Sequence, residues 1–317
     1  MNVLVTGADG FVGSWLVPKL LEEGHTVTGT YRPSDDHRTE RFDAGMLRRV
    51  TWQALELSEA DSVKSVTGTA WDAVAHLAAV SWVSLADRDP GRAWNDNAGG
   101  TARLLRALGD VRRAGGADPL VLIVSSLDVY GRGGPAPRRE TDAVAPISAY
   151  AASKVGAEVV AAQERRRAGL RVVVVRPSPH SGPRQNELGF IPRYAGRVLM
   201  AKKLRAPAIP TGLLDGVRDF LHVADVVDAY ARLLAGGQAG EIYNVSSGAG
   251  VELKDVVLRL CVLVGWQPIL EVDSADVRPD TVPHLVGDGT KLANATGWRV
   301  RHTLDEVLQD VLDAQAH

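Results

Sequence analysis

Tyr150 and Lys154 stand four residues apart, a spacing that puts two side chains on one face of a helix. That pairing has a chemical use. A phenol ordinarily loses its proton near pH 10, at about the value of free tyrosine. A neighbouring ammonium and a helix N-terminus both favour the phenolate. The pair is therefore expected to draw the Tyr150 pKa toward neutrality, so that Tyr150 passes a proton to or from a substrate oxygen. Ser126 ends an apolar run, where its hydroxyl can hydrogen-bond the same oxygen as charge develops on it. Asp128, two residues on, is a further candidate for acid–base work.

A second constellation opens the chain. The apolar run 2–6 is followed by Gly7-Ala8-Asp9-Gly10-Phe11-Val12-Gly13, and then by a helical pattern through Trp15, Leu16, Leu20 and Leu21. Three glycines in a strand-to-helix turn suit a dinucleotide diphosphate. The first permits the tight turn, the second lets backbone approach the phosphates, and the third lets helix pack on strand. The phosphates would lie against N–H groups at the positive end of the helix dipole, so Gly7, Asp9, Gly10, Phe11, Val12 and Gly13 are the expected cradle. Pro18 falls inside that helix and predicts a kink.

Further candidates fall at the ends of later apolar runs. Tyr31 stands where an acidic residue would hold the ribose 2′-hydroxyl of NAD, and Arg32 follows. A guanidinium there suits a 2′-phosphate, so NADP(H) is expected over NAD(H). Glu56, beside Leu57, is a candidate contact for the adenine amino group. Leu77, Ala78 and Ala79 are small enough to run beside the cofactor, with Ser81 and Val83 at the mouth of the cleft. His76 and Asn97 read as structural polar residues.

These residues need a scaffold. Apolar runs at 2–6, 26–31, 50–52, 73–77, 120–125 and 170–176 alternate with helical stretches. Continuous apolar strands with helices between them imply a parallel sheet covered on both faces, an α/β Rossmann doubly wound sheet. The expected division is a dinucleotide-binding domain of residues 1–176 and 219–246, with a smaller mixed substrate domain of 177–218 and 247–317. The last helix carries a capping box, Thr303 with Glu306.

Composition limits the alternatives. The chain has 317 residues, 45% of them hydrophobic, and a formal net charge of −2. That balance argues against nucleic acid as the main partner. No apolar run approaches the roughly 20 residues of a membrane span, and the first residues read as a strand rather than a signal peptide, so a cytoplasmic protein is expected. The single cysteine, Cys261, sits in an apolar helical pattern and is expected in the core. Arg165-Arg166-Arg167 suits a helix C-terminus. No metal is expected.

Taken as a set, Gly7-x-x-Gly10-x-x-Gly13, His76-Leu77-Ala78-Ala79, Ser125-Ser126-x-x-Val129-Tyr130-Gly131 and Tyr150-x-x-x-Lys154 resemble the extended short-chain dehydrogenase/reductases over essentially the whole chain. The resemblance implies a Ser126–Tyr150–Lys154 triad, with Lys154 also holding the nicotinamide ribose, and a nucleotide-diphosphate sugar as substrate. Three later stretches are similar to the branch that holds GDP-mannose 4,6-dehydratases and GDP-4-keto-6-deoxymannose reductases. They are Arg176-Pro177-Ser178-Pro179-His180-Ser181-Gly182-Pro183, Arg218-Asp219-Phe220-Leu221-His222-Val223 and Arg278-Pro279-x-x-Val282-Pro283-x-Leu285-x-Gly287-Asp288.

By that likeness Arg218 and Arg278 bind the nucleotide diphosphate and His180 lies at the substrate. Pro179 and Leu213 stand where the relatives carry Asn, which leaves the nucleotide base and the sugar open. The resemblance also implies a homodimer, paired as a four-helix bundle by helices near 94–113 and 149–167. Related dehydratases carry acidic or polar groups at the positions of Leu127 and Asp128, and Leu127 cannot act as an acid. Reduction of a C4 ketone is therefore expected ahead of 4,6-dehydration or 4-epimerisation. A non-catalytic dinucleotide sensor is disfavoured because Tyr150 and Lys154 are both present.

Overall fold

A computed structural model describes residues 1–277 and 282–316. Seven parallel strands make one sheet: β1 (Asn2–Thr6), β2 (Thr26–Tyr31), β3 (Thr51–Ala54), β4 (Ala73–His76), β5 (Leu120–Val124), β6 (Arg171–Pro177) and β7 (Ile242–Val245). Their spatial order is β7-β6-β5-β4-β1-β2-β3. The expected doubly wound α/β Rossmann architecture is thus present. Successive side chains of a strand point to opposite faces. Val3 and Val5 of β1 accordingly enter one core and Leu4 the other; Leu122 of β5 and Val173 of β6 join the first, Ile123 and Val172 the second. Strands buried on both faces are apolar through their middle, as the central residues of β1, β4, β5 and β6 are.

The longer helices are α1 (Gly13–Glu22), α2 (Thr101–Arg113), α3 (Ala149–Ala168), α4 (Phe190–Leu204), α5 (Val223–Gly236), α6 (Leu253–Val264) and α7 (Leu304–Gln315). α1 and α5 cover one face of the sheet through Leu16, Val17, Leu20, Val226 and Tyr230. α2 and α3 cover the other through Leu104, Leu105, Leu108, Ala157 and Ala161. α1 runs through Pro18 as one element, its apolar side buried against the sheet.

The chain leaves β1 for β2 on one side and returns through β4 on the other. The carboxyl ends of β1 and β4 therefore part, and a crevice opens between them. Over it lies a smaller domain whose core joins Ile191 and Val198 of α4, Val257 and Leu260 of α6, and Val307 and Leu308 of α7. Cys261 is buried in this core. The strand pair Ala208–Thr211 and Ile269–Val272 edges it, and the capping box opens α7 as expected. Leu292 and Trp298, by contrast, pack into the core of the main sheet, where Trp298 Nε1 donates to the Asp225 carbonyl (2.9 Å). No helix among the described residues is long and apolar enough to cross a membrane.

One expected helix differs. The stretch 94–113 is not a single α-helix: Asn95–Gly100 is a π-helical turn leading into α2. Asn97 explains it. Its side chain accepts from Val80 N (2.8 Å) and donates to Val80 O (3.0 Å) and Ser153 Oγ (2.8 Å). The widened turn presents Asn97 to the loop after β4 and ties it to α3, the helix that carries Tyr150 and Lys154.

Candidate active site

The crevice is a cleft of about 750 Å³. Its floor is the glycine loop. Gly7 has φ +64°, and a Cβ there would meet the Ala78 backbone at 2.9 Å. A Cβ on Gly13 would lie 2.4 Å from the Ala8 carbonyl oxygen. The protein's own packing therefore uses both glycines. Gly10 differs, because a Cβ there meets only the Gly7 carbonyl oxygen, at 3.2 Å, and otherwise opens into the cleft. Its bareness leaves room for a ligand to approach the backbone. The helical ladder of α1 begins with Ser14 N–H donating to Gly10 O (2.9 Å), so the N–H groups of the first turn head the helix dipole at this point.

The wall opposite is the catalytic corner. Ser148 caps α3 by accepting from Ala151 N (3.1 Å), which fixes where the helix starts and sets Tyr150 and Lys154 in its first turns. Both side chains are buried and both line the cleft. Of the two serines ending β5, Ser125 donates to Glu158 Oε1 (2.5 Å), which Arg176 holds through two nitrogens (2.9 and 2.6 Å). Ser126 is left to face the cleft. Its Oγ donates to Asp128 Oδ2 (2.8 Å), and its hydroxyl favours the phenolate form of Tyr150.

The electrostatics depart from the expectation for Tyr150. Its pKa is raised, not lowered: burial comes first, and the charge of Asp128 adds to it, while the Ser126 hydrogen bond opposes. Lys154 does not deliver its charge to the phenol. Its Nζ donates to the Val124 carbonyl (2.9 Å) and lies 5.8 Å from the Tyr150 ring centre. Burial brings the Lys154 pKa down to about 8. Burial also pushes the Asp128 carboxyl up, with Ser126 and the Arg218 charge pulling the other way. The spacing named the right neighbours, but desolvation outweighs their charge. Tyr150 is a neutral phenol here, which is an acid.

His76 is structural, as expected. It bridges Thr6 Oγ1 (2.8 Å) and Thr101 Oγ1 (3.1 Å), and burial, with the Lys154 charge, lowers its pKa to about 3.

The cleft gathers most of the other residues singled out in the sequence. Asp9, Phe11, Val12, Arg32, Leu57, Leu77, Ala78, Ala79, Ser81, Val83 and His180 all line it. His180 stacks on Phe11, and its Nδ1 is 2.9 Å from the Ser178 carbonyl.

Glu56 and Arg218 do not line it. Glu56 gives its carboxylate to Arg32 (Oε2 to Nε, 3.3 Å) rather than to the cleft. Arg218 lies in the short strand Val217–Arg218, paired on both sides, and spends one Nη on the Val217 carbonyl (2.8 Å). It acts on the site through its charge beside Asp128. Arg278 lies outside the described residues.

Other cleft residues carry no local sequence signal. Asp96 holds Arg32 Nη2 (3.0 Å), so with Glu56 it fixes the guanidinium at the end of β2. Tyr230 of α5 is fully buried, lines the cleft, and its hydroxyl has no hydrogen-bond partner among the described residues. A buried orphan hydroxyl at a cleft wall is costly unless a ligand takes it. With the open face of Gly10, it makes the described residues a fit for a bound dinucleotide. No group of three His, Cys, Asp or Glu side chains placed to hold a metal occurs among the described residues.

Comparison with known proteins gives a consistent answer. The family model described as GDP-mannose 4,6 dehydratase matches residues 4–311. The chain is 34% identical to the GDP-6-deoxy-D-mannose reductase of Pseudomonas aeruginosa, over 98% of this chain and 96% of that one. It is 29% identical to the GDP-6-deoxy-D-talose 4-dehydrogenase of Aggregatibacter actinomycetemcomitans, over 96% and 94%. Among solved structures, it is similar to RMD from Pseudomonas aeruginosa complexed with NADPH, with a TM-score of 0.83 and 32% identity over 99% and 98% of the two chains. It is also similar to the UDP-glucose 4-epimerase of Thermotoga maritima with UDP-glucose, with a TM-score of 0.88 and 26% identity over 100% and 99%.

Proposed function

The chain belongs to the GDP-mannose 4,6-dehydratase family, and on that premise we propose that it is a reductase that uses NADPH to convert the C4 ketone of a GDP-linked 4-keto-6-deoxy sugar to an alcohol. The observation that carries this reading is the fate of residue 127. A 4,6-dehydration needs an acid to expel the C6 hydroxyl. Leu127 occupies that position and is fully buried among Val129, Tyr130, Val282 and Leu285. Reduction needs no such acid.

When bound, the reduced dinucleotide supplies a hydride. The chain's own residues do the rest. Tyr150, protonated in its buried setting, gives its hydroxyl proton to the carbonyl oxygen as the C=O bond becomes a C–OH bond. Ser126 turns its hydroxyl toward that oxygen and stabilises the charge developing there. Lys154, cationic below about pH 8, would hold the ribose beside Tyr150. Asp128 holds Ser126 in place through its carboxylate.

The glycine loop and Leu77–Ala79 take the dinucleotide, and Arg32, pre-set by Glu56 and Asp96, takes the 2′-phosphate that distinguishes NADPH. Ser81, Val83 and His180 face the sugar nucleotide.

We also place the enzyme in the cytoplasm, where reduced dinucleotide and nucleotide sugar are both at hand. We expect it to work as a homodimer through a four-helix bundle. In support, Val159 of α3 and the neighbouring Trp94 expose 60% and 52% of their surface on the outer side of that helix pair.

The test is turnover with NADPH and GDP-4-keto-6-deoxymannose. One NADPH consumed per sugar, with a gain of two hydrogens in the product mass, is expected. No net NADPH consumption, with water lost from GDP-mannose instead, would overturn the reading in favour of a dehydratase.

A further inference from the structure

Four arginines lie along the segment after β2 and the turn that faces it, and they are not treated alike. Arg32 is paired with Glu56 and Asp96, and Arg38 with Asp36 through two hydrogen bonds (3.0 and 2.8 Å). Arg41 and Arg184 form no ion pair with a carboxylate among the described residues. They hold each other's backbone instead: the Arg41 guanidinium donates to the Arg184 carbonyl, and Arg184 Nη1 donates to the Arg41 carbonyl (3.1 Å). Two cations 143 positions apart in sequence are thus brought together with no ion pair of their own, and only the more distant charges of Glu40 and Asp9 act on Arg41.

Burial lowers the pKa of both guanidinium groups, and the charge of Arg41 lowers that of Arg184 further. Arg41 Nε is buried with no hydrogen-bond partner. Arg184 sits at φ +72°, a backbone region that side-chain-bearing residues rarely occupy and that tends to mark functional turns.

Their place is defined by the glycine loop. Arg184 Cζ lies 5.0 Å over the ring of Trp15, in the first turn of α1, and Trp15 Nε1 donates to the adjacent Pro183 carbonyl (3.3 Å). The segment carrying Arg41 is docked on the same loop, where Asp9 Oδ2 accepts from His37 N (3.1 Å). Arg41 itself lines the cleft. Two guanidinium groups with no ion pair of their own, Arg41 on the cleft wall and Arg184 beside it over Trp15, therefore stand at the head of α1, where the helix dipole and its free N–H groups already favour an anion.

We propose that Arg41 and Arg184 form a clamp on the diphosphate of the bound dinucleotide, closing over it from the segments that face the glycine loop. Guanidinium forks match phosphate oxygens two at a time, and a dianion between them relieves their mutual repulsion. The assignment rests on the dinucleotide-binding part of the proposed function.

Titration of the wild type, Arg41→Gln and Arg184→Gln with NADPH, NADH, ADP and adenosine, followed by calorimetry, tests it. Each variant is expected to weaken NADPH, NADH and ADP by about tenfold, roughly 1.4 kcal/mol, with adenosine changed by less than about twofold. Arg184→Lys, which keeps the charge and loses the fork, serves should a glutamine variant not fold, and is expected to lose less.

A loss confined to NADPH would move the two arginines to the 2′-phosphate and overturn the diphosphate assignment. Unchanged affinities, even with a lowered Tm, would reduce the pair to a brace between two loops. Failure of the wild type to bind any dinucleotide would overturn the reductase reading as well, whereas binding that the variants leave intact overturns the clamp alone.

Discussion

Gly7, Gly10 and Gly13 reach the cleft from seven consecutive residues, whereas His180, Gln185 and Phe220 reach it from turns and two-residue strands around α4, and Phe190 from the start of α4 itself. The dinucleotide half is pinned by backbone contact: two of its three glycines have no space for even a methyl group. The substrate half is pinned by pairings between distant segments, such as His180–Ser181 with Leu221–His222, and Val217–Arg218 between Val251–Glu252 and His284–Leu285. A local motif resists change because its geometry is dictated within a few residues. A surface assembled from far-separated pieces has many ways to be re-cut.

Substitutions sharpen that contrast. The largest effect is expected at the seam between the halves: Tyr150→Phe removes the proton donor and should lower kcat by about a thousandfold, with NADPH affinity unchanged in a binding titration. A kcat within tenfold of wild type would take the proton from another group, of which Asp128, raised by burial and joined to Ser126, is the first candidate.

Next comes the glycine loop. Gly13→Ala drives a methyl group into the Ala8 carbonyl and should cost about 3 kcal/mol in denaturant unfolding, whereas Gly134→Ala, which meets nothing within 4 Å, should leave stability unchanged. Equal effects at the two positions would dissolve the claim that backbone contact pins the glycine loop.

Arg32→Ala is expected to cut the preference for NADPH over NADH by about tenfold, read from kcat/KM with each dinucleotide. The smallest effect is a pH dependence. Burial lowers the Lys154 pKa from 10.5 to about 8, so Lys154 carries its charge below that value and loses it above. Tyr150, shifted upward, keeps its proton over the same range. The reduction rate should therefore be level from about pH 6 to 7.5 and fall several-fold through pH 8 to 9. A profile level to pH 9.5 would remove the Lys154 charge from the reaction. The linkage to stability has the opposite sign: the folded state binds the Lys154 proton less tightly than the unfolded chain, so this group's penalty is full below about pH 8 and fades as pH rises toward 10.5.

The amino-acid order alone specified the sheet strands, the glycine turn, the Tyr150–Lys154 face and the family, because each is a short-range pattern: period two or unbroken apolarity for strands, four-residue spacing for a helix face, three-residue spacing for the turn. It could not specify what depends on burial or on distant partners. Whether the Tyr150 pKa rises or falls is decided by how much water the folded chain removes from it. That Glu56 serves Arg32, that Asn97 widens a helix to hold Val80, and that Arg41 meets Arg184 across 143 positions are likewise decided only when the chain is packed. Solvation and long-range contact are properties of the folded chain, not of any window of its sequence.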